Sequence, residues 1–152
     1  AQHLKALPDA QLAELVQPFL ASRGVALSGD RAVQACALFK DRCSTLVELA
    51  DWLALLVQGG QASEPDRATH LSDAIAPVLG QLAQALEASA WDKTSIAAAI
   101  KQVMTQAGLK MPQLAMPARV ALLGTPQTPS LDAVIALMDR RLVLERLRLL
   151  GS

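Results

Sequence analysis

Two cysteines, two histidines and an arginine set among prolines are the residues of this chain whose types and spacing invite a chemical reading. Cys36 and Cys43 stand seven positions apart. On one straight helix that spacing puts both on one face, ~10.5 Å apart along the axis. A disulfide needs Cα atoms within about 7 Å, so none is expected between them. Neither cysteine has partners at a zinc-ligand spacing, and both are expected as reduced, buried core side chains. His3 and His70 are each expected to be surface or partly buried histidines outside any catalytic motif. No glycine-rich loop follows a strand pattern, and no paired carboxylates stand out for acid–base work. Catalysis needs such groups converging on one point, so no catalytic residue, metal site or cofactor is expected of this chain.

The segment from Gly108 to Leu131 is different. It gathers Lys110, Arg119, Gly124 and four prolines, Pro112, Pro117, Pro126 and Pro129. Prolines fix backbone direction, and a fixed loop presents side chains for recognition. On residue types alone this is a binding loop, or simply a set of connectors between short helices.

The elements that position these residues read as helices. Leu12, Leu15, Val16, Phe19 and Leu20 repeat at helical spacing from Pro8-Asp9 onward, with Pro18 expected to kink or end the helix before Arg23-Gly24 closes it. Ser28-Gly29-Asp30 offers a cap for a helix through Val33, Cys36, Ala37 and Phe39, with a break near Asp41 to Ser44. Thr45 and Glu48 read as a capping box ahead of Leu49, Trp52, Leu53 and Leu56. Gln58 to Pro65, with two glycines and a proline, is the clearest boundary. It predicts two subdomains, 1–64 and 65–152. From Asp66 an apolar face runs through Leu71, Ile75, Val78, Leu79, Leu82 and Leu86, and Pro77 should split or kink it. Thr94 or Ser95 is expected to cap a helix with Ile96, Ile100, Val103 and Met104 inward, and Gly108 to end it. Pro112 and Pro117 are expected to bound a brief extended piece, Pro117 suiting a first helical position. Gly124 then ends a short turn, Ser130 caps the next helix, and the last helix carries Leu142, Val143, Leu147 and Leu150. No strand alternation of useful length appears. The expected class is all-α, two adjacent helical bundles.

Composition supports this. Hydrophobic residues are 52% of 152 residues, enough for packed cores, while aromatics are 3% with no Tyr. A Leu and Ala bias favours helix. Net charge is zero, which argues against a strongly basic nucleic-acid binder. The charge is unevenly spread: residues 1–100 hold 7 basic and 11 acidic side chains, residues 101–152 hold 7 and 3. The C-terminal third is therefore the end expected to approach phosphates. No signal peptide pattern opens the chain, and no apolar run of about 18 residues predicts a membrane span. The expected location is cytoplasmic. The first residue, Ala1, is not Met and suits a fragment or a processed chain.

The run Gly108-Leu109-Lys110-Met111-Pro112, then Met116-Pro117-Ala118-Arg119-Val120-Ala121-Leu122-Leu123-Gly124, then Thr128-Pro129-Ser130-Leu131 resembles the last subdomain of bacterial glutamyl-tRNA synthetases. Their pattern is a Lys, Met-Pro, Arg-x-Ala-Leu-x-Gly and a proline-containing loop. Trp91, the stretch from Ile96 to Met104 and the Arg140-Arg141 lead into a Leu-rich basic helix are similar to the same family, as are Gln2-His3 and Leu7-Pro8-Asp9. Asp41-Arg42-Cys43-Ser44-Thr45-Leu46 resembles its Arg-x-x-Thr-Leu segment. The resemblance implies two helical subdomains forming an α-helical cage for the anticodon loop of tRNA-Glu. It implies that Arg42 reads the third anticodon base, a cytosine, and that Arg119, Thr128, Pro129 and Leu131 line the pocket for the first, with Lys110 and Gly124 supporting the loop. Members that accept both tRNA-Glu and tRNA-Gln carry Gln where this chain has Arg42, so arginine implies discrimination for tRNA-Glu. The chemistry suits splayed single-stranded bases, read by donors at their edges and by flat groups.

The chain departs from the family pattern at Thr125-Pro126 and in its mild charge. It also lacks the His-x-Gly-His and Lys-Met-Ser-Lys signatures that bind ATP. The resemblance thus implies a parent glutamate–tRNA ligase, a monomer using ATP with Mg, whose catalytic domain lies upstream; this fragment alone is expected to be inactive. Two alternatives are a helical protein-interaction scaffold and the equivalent region of a class I lysyl-tRNA synthetase. For Arg42 the plain alternative is a surface ion pair with Asp41 or Glu48.

Overall fold

The computed structural model describes the backbone of residues 2–151 and the side chains of residues 4–149. The expectations placed on the His3 and Leu150 side chains and on Ala1 lie outside the described residues. Every regular element described is helical, with no strand among the described residues, and none is long and apolar enough to cross a membrane. The chain divides into two compact units, Ala1–Gln58 and Gly59–Ser152. The division falls at the start of the glycine-rich stretch, ahead of the border expected at 64/65.

In the first unit α1 (Gln2–Ala6) precedes α2 (Asp9–Leu15) and α3 (Gln17–Ser22). Pro18 stands in the first turn of α3, where its missing N–H costs nothing. The break therefore falls just before it, at Val16. α4 (Gly29–Phe39) begins after Ser28, a 3₁₀ turn covers Lys40–Arg42, and α5 (Leu46–Gln58) closes the unit. α2 and α5 both pack against α4, and α3 packs on α5. Leu12, Leu20, Phe39, Leu49, Leu53 and Leu56 are fully buried there, each contributing about 1.5–3 kcal/mol of transfer free energy. Phe39 stacks on Trp52 with centroids 5.2 Å apart. On α4 the inward face is Ala32, Ala35, Cys36 and Phe39, and Ala37 is exposed.

In the second unit α6 (Glu64–His70) and α7 (Ala76–Glu87) replace the single long pattern, with Pro77 in the first turn of α7. They are followed by α8 (Lys93–Ala107), α9 (Met111–Leu123), α10 (Leu131–Leu137) and α11 (Arg140–Gly151). α7 packs on α8, α9 and α11, α10 on α8 and α9, and α6 and α11 on α9. Leu79, Leu82, Leu86, Ile96, Leu114, Ile135 and Leu147 form the core. The Trp91 indole donates to Met138 O at 3.0 Å, tying the α7–α8 connection to the end of α10.

Two expectations are corrected here. α8 is capped by Asp92, not by Thr94 or Ser95: extended at φ −138°, Asp92 accepts the Ser95 N–H at 2.8 Å and its hydroxyl at 3.0 Å. Asp caps as well as Ser, and an earlier acceptor starts the helix earlier. The extended piece expected between Pro112 and Pro117 is instead helix. Pro112 takes the first turn of α9 and Pro117 lies inside it. A mid-helix proline removes one backbone hydrogen bond at a cost of about 3 kcal/mol. Burial offsets this, because Leu114, Ala115, Pro117, Ala118 and Val120 to Leu123 are all buried. A helix apolar nearly all round is a core helix, and its packing overrides local propensity.

Candidate nucleic-acid interface

Arg42 ends the 3₁₀ turn and is exposed. The turn is fixed from both sides. Phe39 before it is fully buried, and Cys43 after it is 4% exposed. Lys40 pairs with Asp9 at 2.9 Å, the Cys43 amide donates to Lys40 O at 3.2 Å, and the Cys43 thiol donates to Phe39 O at 3.4 Å. The capping box beyond it forms with one change. The Glu48 N–H donates to Thr45 Oγ1 at 3.1 Å, but Glu48 Oε1 accepts the Ser44 amide rather than that of Thr45. A long cationic side chain is thus mounted on a backbone bend with little freedom. Cys36 and Cys43 do not share a straight helix as the spacing suggested: Cys36 lies in α4, while Cys43 is extended at φ −121°. Both are free thiols and buried.

In the second unit α9 carries the other candidates. Lys110 precedes its first turn and is exposed; its backbone N–H donates to Gln113 Oε1 at 2.7 Å. An ammonium cannot accept in return, so this is half of a capping box. Arg119 sits in the last turns of α9, half-buried, with Nε closed off from solvent. Gly124 ends the helix at φ +80°, and a Cβ there would lie 2.7 Å from Gln61 O. Both the left-handed backbone and the close approach require glycine.

Thr128, Pro129 and Leu131 form the corner between α9 and α10, and all three are buried; Thr128 is 6% exposed and Leu131 3%. The Thr128 hydroxyl donates to Pro129 O at 2.7 Å. Its proton is committed, so toward a base this oxygen is limited to accepting. Lys110, Arg119, Gly124, Thr128, Pro129 and Leu131 are thus placed on α9 and its two ends within the second unit, and Arg42 belongs to the first.

One polar residue that the sequence did not single out is built into the same helix end. The half-buried Arg146 of α11 donates from Nε to Ala121 O at 2.9 Å and from Nη2 to Gly60 O. Loss of hydration pushes its guanidinium below the ordinary arginine value. Its partner at Gly60 is 86 residues away, so no local pattern points to it. Among the described residues no three His, Cys, Asp or Glu side chains group as metal ligands would.

The anticodon binding domain family matches residues 11–150. A glutamate–tRNA ligase of a Polaromonas species is 64% identical over 149 residues, covering 98% of this chain and 32% of that protein. The ligases of Polaromonas naphthalenivorans and Paracidovorax citrulli are 62% and 54% identical, each again with 32% of its length covered. The chain therefore spans about a third of the length of these curated relatives. Among solved structures, a glutamate tRNA ligase from Elizabethkingia meningosepticum superposes with a TM-score of 0.89 at 18% identity, covering 99% of this chain and 30% of that one. Another from Elizabethkingia anophelis gives 0.82 at 18% identity over 98% and 29%. At that identity the likeness shows the fold. Every relative named is a glutamate–tRNA ligase, and the lysyl-tRNA synthetase alternative finds no support. The all-helical fold and the family match over nearly the whole chain agree: the chain belongs to the anticodon binding domain family, and it is similar over nearly all its length to the corresponding third of glutamate–tRNA ligases.

Proposed function

We propose that this chain reads the anticodon loop of tRNA-Glu for a longer, monomeric cytoplasmic enzyme that attaches glutamate to that tRNA using ATP with Mg. ATP and Mg belong to the catalytic part of that enzyme, outside this chain. The chain itself contributes recognition alone. Arg42 offers planar donors to the O2 and N3 of the third anticodon base, a cytosine. Arg119 does the same for the first base, while Thr128, Pro129 and Leu131 form the packed corner that shapes its pocket. Lys110 and Gly124 hold the two ends of α9. Each unit, Ala1–Gln58 and Gly59–Ser152, contributes its own residues to this reading.

The observation that carries this reading is the exposed guanidinium of Arg42 on a turn anchored by Phe39, Cys43 and the Lys40–Asp9 pair. A fixed backbone lowers the entropy lost when an arginine engages a base edge.

The test is a titration of anticodon stem-loops differing at one base. The wild type should prefer cytosine at the third position, and Arg42→Gln should lose about tenfold of that preference. This is the scale of one base contact of about 1–3 kcal/mol in DNA readout. Equal binding of all stem-loops by both proteins rejects base reading.

A further inference from the structure

The C-terminal end of α9 is closed in an unusual way. A helix leaves its last four carbonyls without intrahelical partners. Here Val120 O accepts the Gly124 N–H at 2.9 Å, Ala121 O accepts Arg146 Nε at 2.9 Å, and Leu122 O accepts the Gly60 N–H at 3.3 Å. Two of these donors come from outside α9. They are joined to each other, because Arg146 Nη2 donates to Gly60 O. One guanidinium thus bridges the helix end and the opening segment of the second unit, and Gly60 itself donates to the next carbonyl. The fit is close on both sides. A Cβ at Gly59 would meet the Arg146 guanidinium at 2.7 Å, and one at Gly124 would meet the Gln61 carbonyl at the same distance. A cation at a helix C-terminus also opposes the negative end of the helix dipole.

Arg119 lies two residues before Ala121, and Gly124 opens the corner to Thr128 and Leu131. We infer that Arg146 is a positioning residue for first-base reading: by bridging Ala121 O and Gly60 O it fixes the end of α9, and with it the mounting of Arg119 and of the corner beyond Gly124. This inference rests on the anticodon-reading proposal above. A lysine here would keep the charge but, as a point donor on a flexible stem, lose the fixed fork that holds two carbonyls at once. The role therefore belongs to the fork and not to the charge.

The experiment compares the wild type with Arg146→Gln and Arg146→Lys. It measures amide hydrogen exchange without RNA and, in parallel, binding to stem-loops substituted at the first or the third anticodon base. The expected result is faster exchange at Gly60 and Gly124 in both variants. First-base discrimination should drop about tenfold, the scale of losing one charge-assisted hydrogen bond. Third-base discrimination, assigned to Arg42 in the other unit, should stay unchanged. Arg146→Lys, which keeps the charge but not the fork, should lose first-base discrimination about as fully as Arg146→Gln, and it carries the test alone should Arg146→Gln fail to fold. Unchanged first-base discrimination in a folded variant overturns the inference. So does an equal loss at both bases, which marks general loosening. If the wild type discriminates neither base, the anticodon reading itself fails. Unaltered exchange at Gly60 and Gly124 instead condemns the clasp and leaves that reading standing.

Discussion

Burial changes the acid–base behaviour of Cys36 and Cys43 more than it changes their packing. Loss of hydration, with Asp9 and Cys43 adding like charge, pushes the Cys36 thiol from 9.0 up to about 11. Burial and the Glu48 carboxylate do the same for Cys43, against the opposing pull of Arg42. A raised folded value means the folded chain holds its thiol protons longer than the unfolded chain does. The stabilisation is fully present below pH 9 and is lost as pH rises through about 11. The chain has no Tyr to titrate in the same range. The urea midpoint should thus fall between pH 9 and 11, and less steeply in Cys36→Ala and Cys43→Ala; slopes identical to wild type would sink the idea. At this scale the sequence was legible where a motif names its residue. Arg42 and Arg119 stand out by their neighbours, but their exposure does not. That Thr128 turns its hydroxyl proton back to Pro129 O, and that Arg146 reaches Gly60, depend on side-chain directions and on contacts far apart in sequence.

At the level of elements, helix ends carry most of the local information. The α8 start is a direct case, because Asp92, Thr94 and Ser95 all compete as caps. The observed Asp92–Ser95 geometry predicts that Asp92→Ala costs about 1 kcal/mol, the usual loss for an N-cap, whereas Thr94→Ala stays within about 0.5 kcal/mol, as for a surface site. Chemical denaturation of the two variants separates them, and a larger loss for Thr94→Ala would restore the cap expected from sequence alone. Pro18 and Pro77 were readable as breaks because each falls in a first turn, where the helix must begin again. Pro117 was not. Its place inside α9 depends on burial on nearly every side of that helix, which the proline gives no sign of. The apolar faces of α5 and α7 were legible from period alone, since Leu49, Leu53, Leu56, Leu79, Leu82 and Leu86 are all fully buried.

Across the whole molecule the charge is balanced, with 14 basic and 14 acidic side chains. Balance also holds within each unit: residues 1–58 carry 5 basic and 6 acidic, residues 59–152 carry 9 and 8. The split at residue 100 therefore marks a gradient inside the second unit, not an acidic unit joined to a basic one. Several of the second unit's cations are also engaged within the protein. Arg148 pairs with Glu87, Arg140 donates to Glu87 O and lies 5.9 Å over the Trp91 ring, and Arg146 closes α9. With a net charge of zero, the chain should not depend chiefly on phosphate contacts for affinity. With about two or three phosphates neutralised, the logarithm of the stem-loop association constant should fall against the logarithm of salt with a slope near −2. That amounts to about a tenfold loss between 50 and 200 mM, against about a thousandfold or more for binders that neutralise six to ten phosphates. Base preference should survive the same change, since an arginine on a fixed turn discriminates by geometry. Titrating matched and mismatched stem-loops at three salt concentrations checks both statements. A slope steeper than about −6, or a preference that vanishes with salt, would make the phosphate backbone the ligand and leave Arg42 and Arg119 as ordinary surface cations.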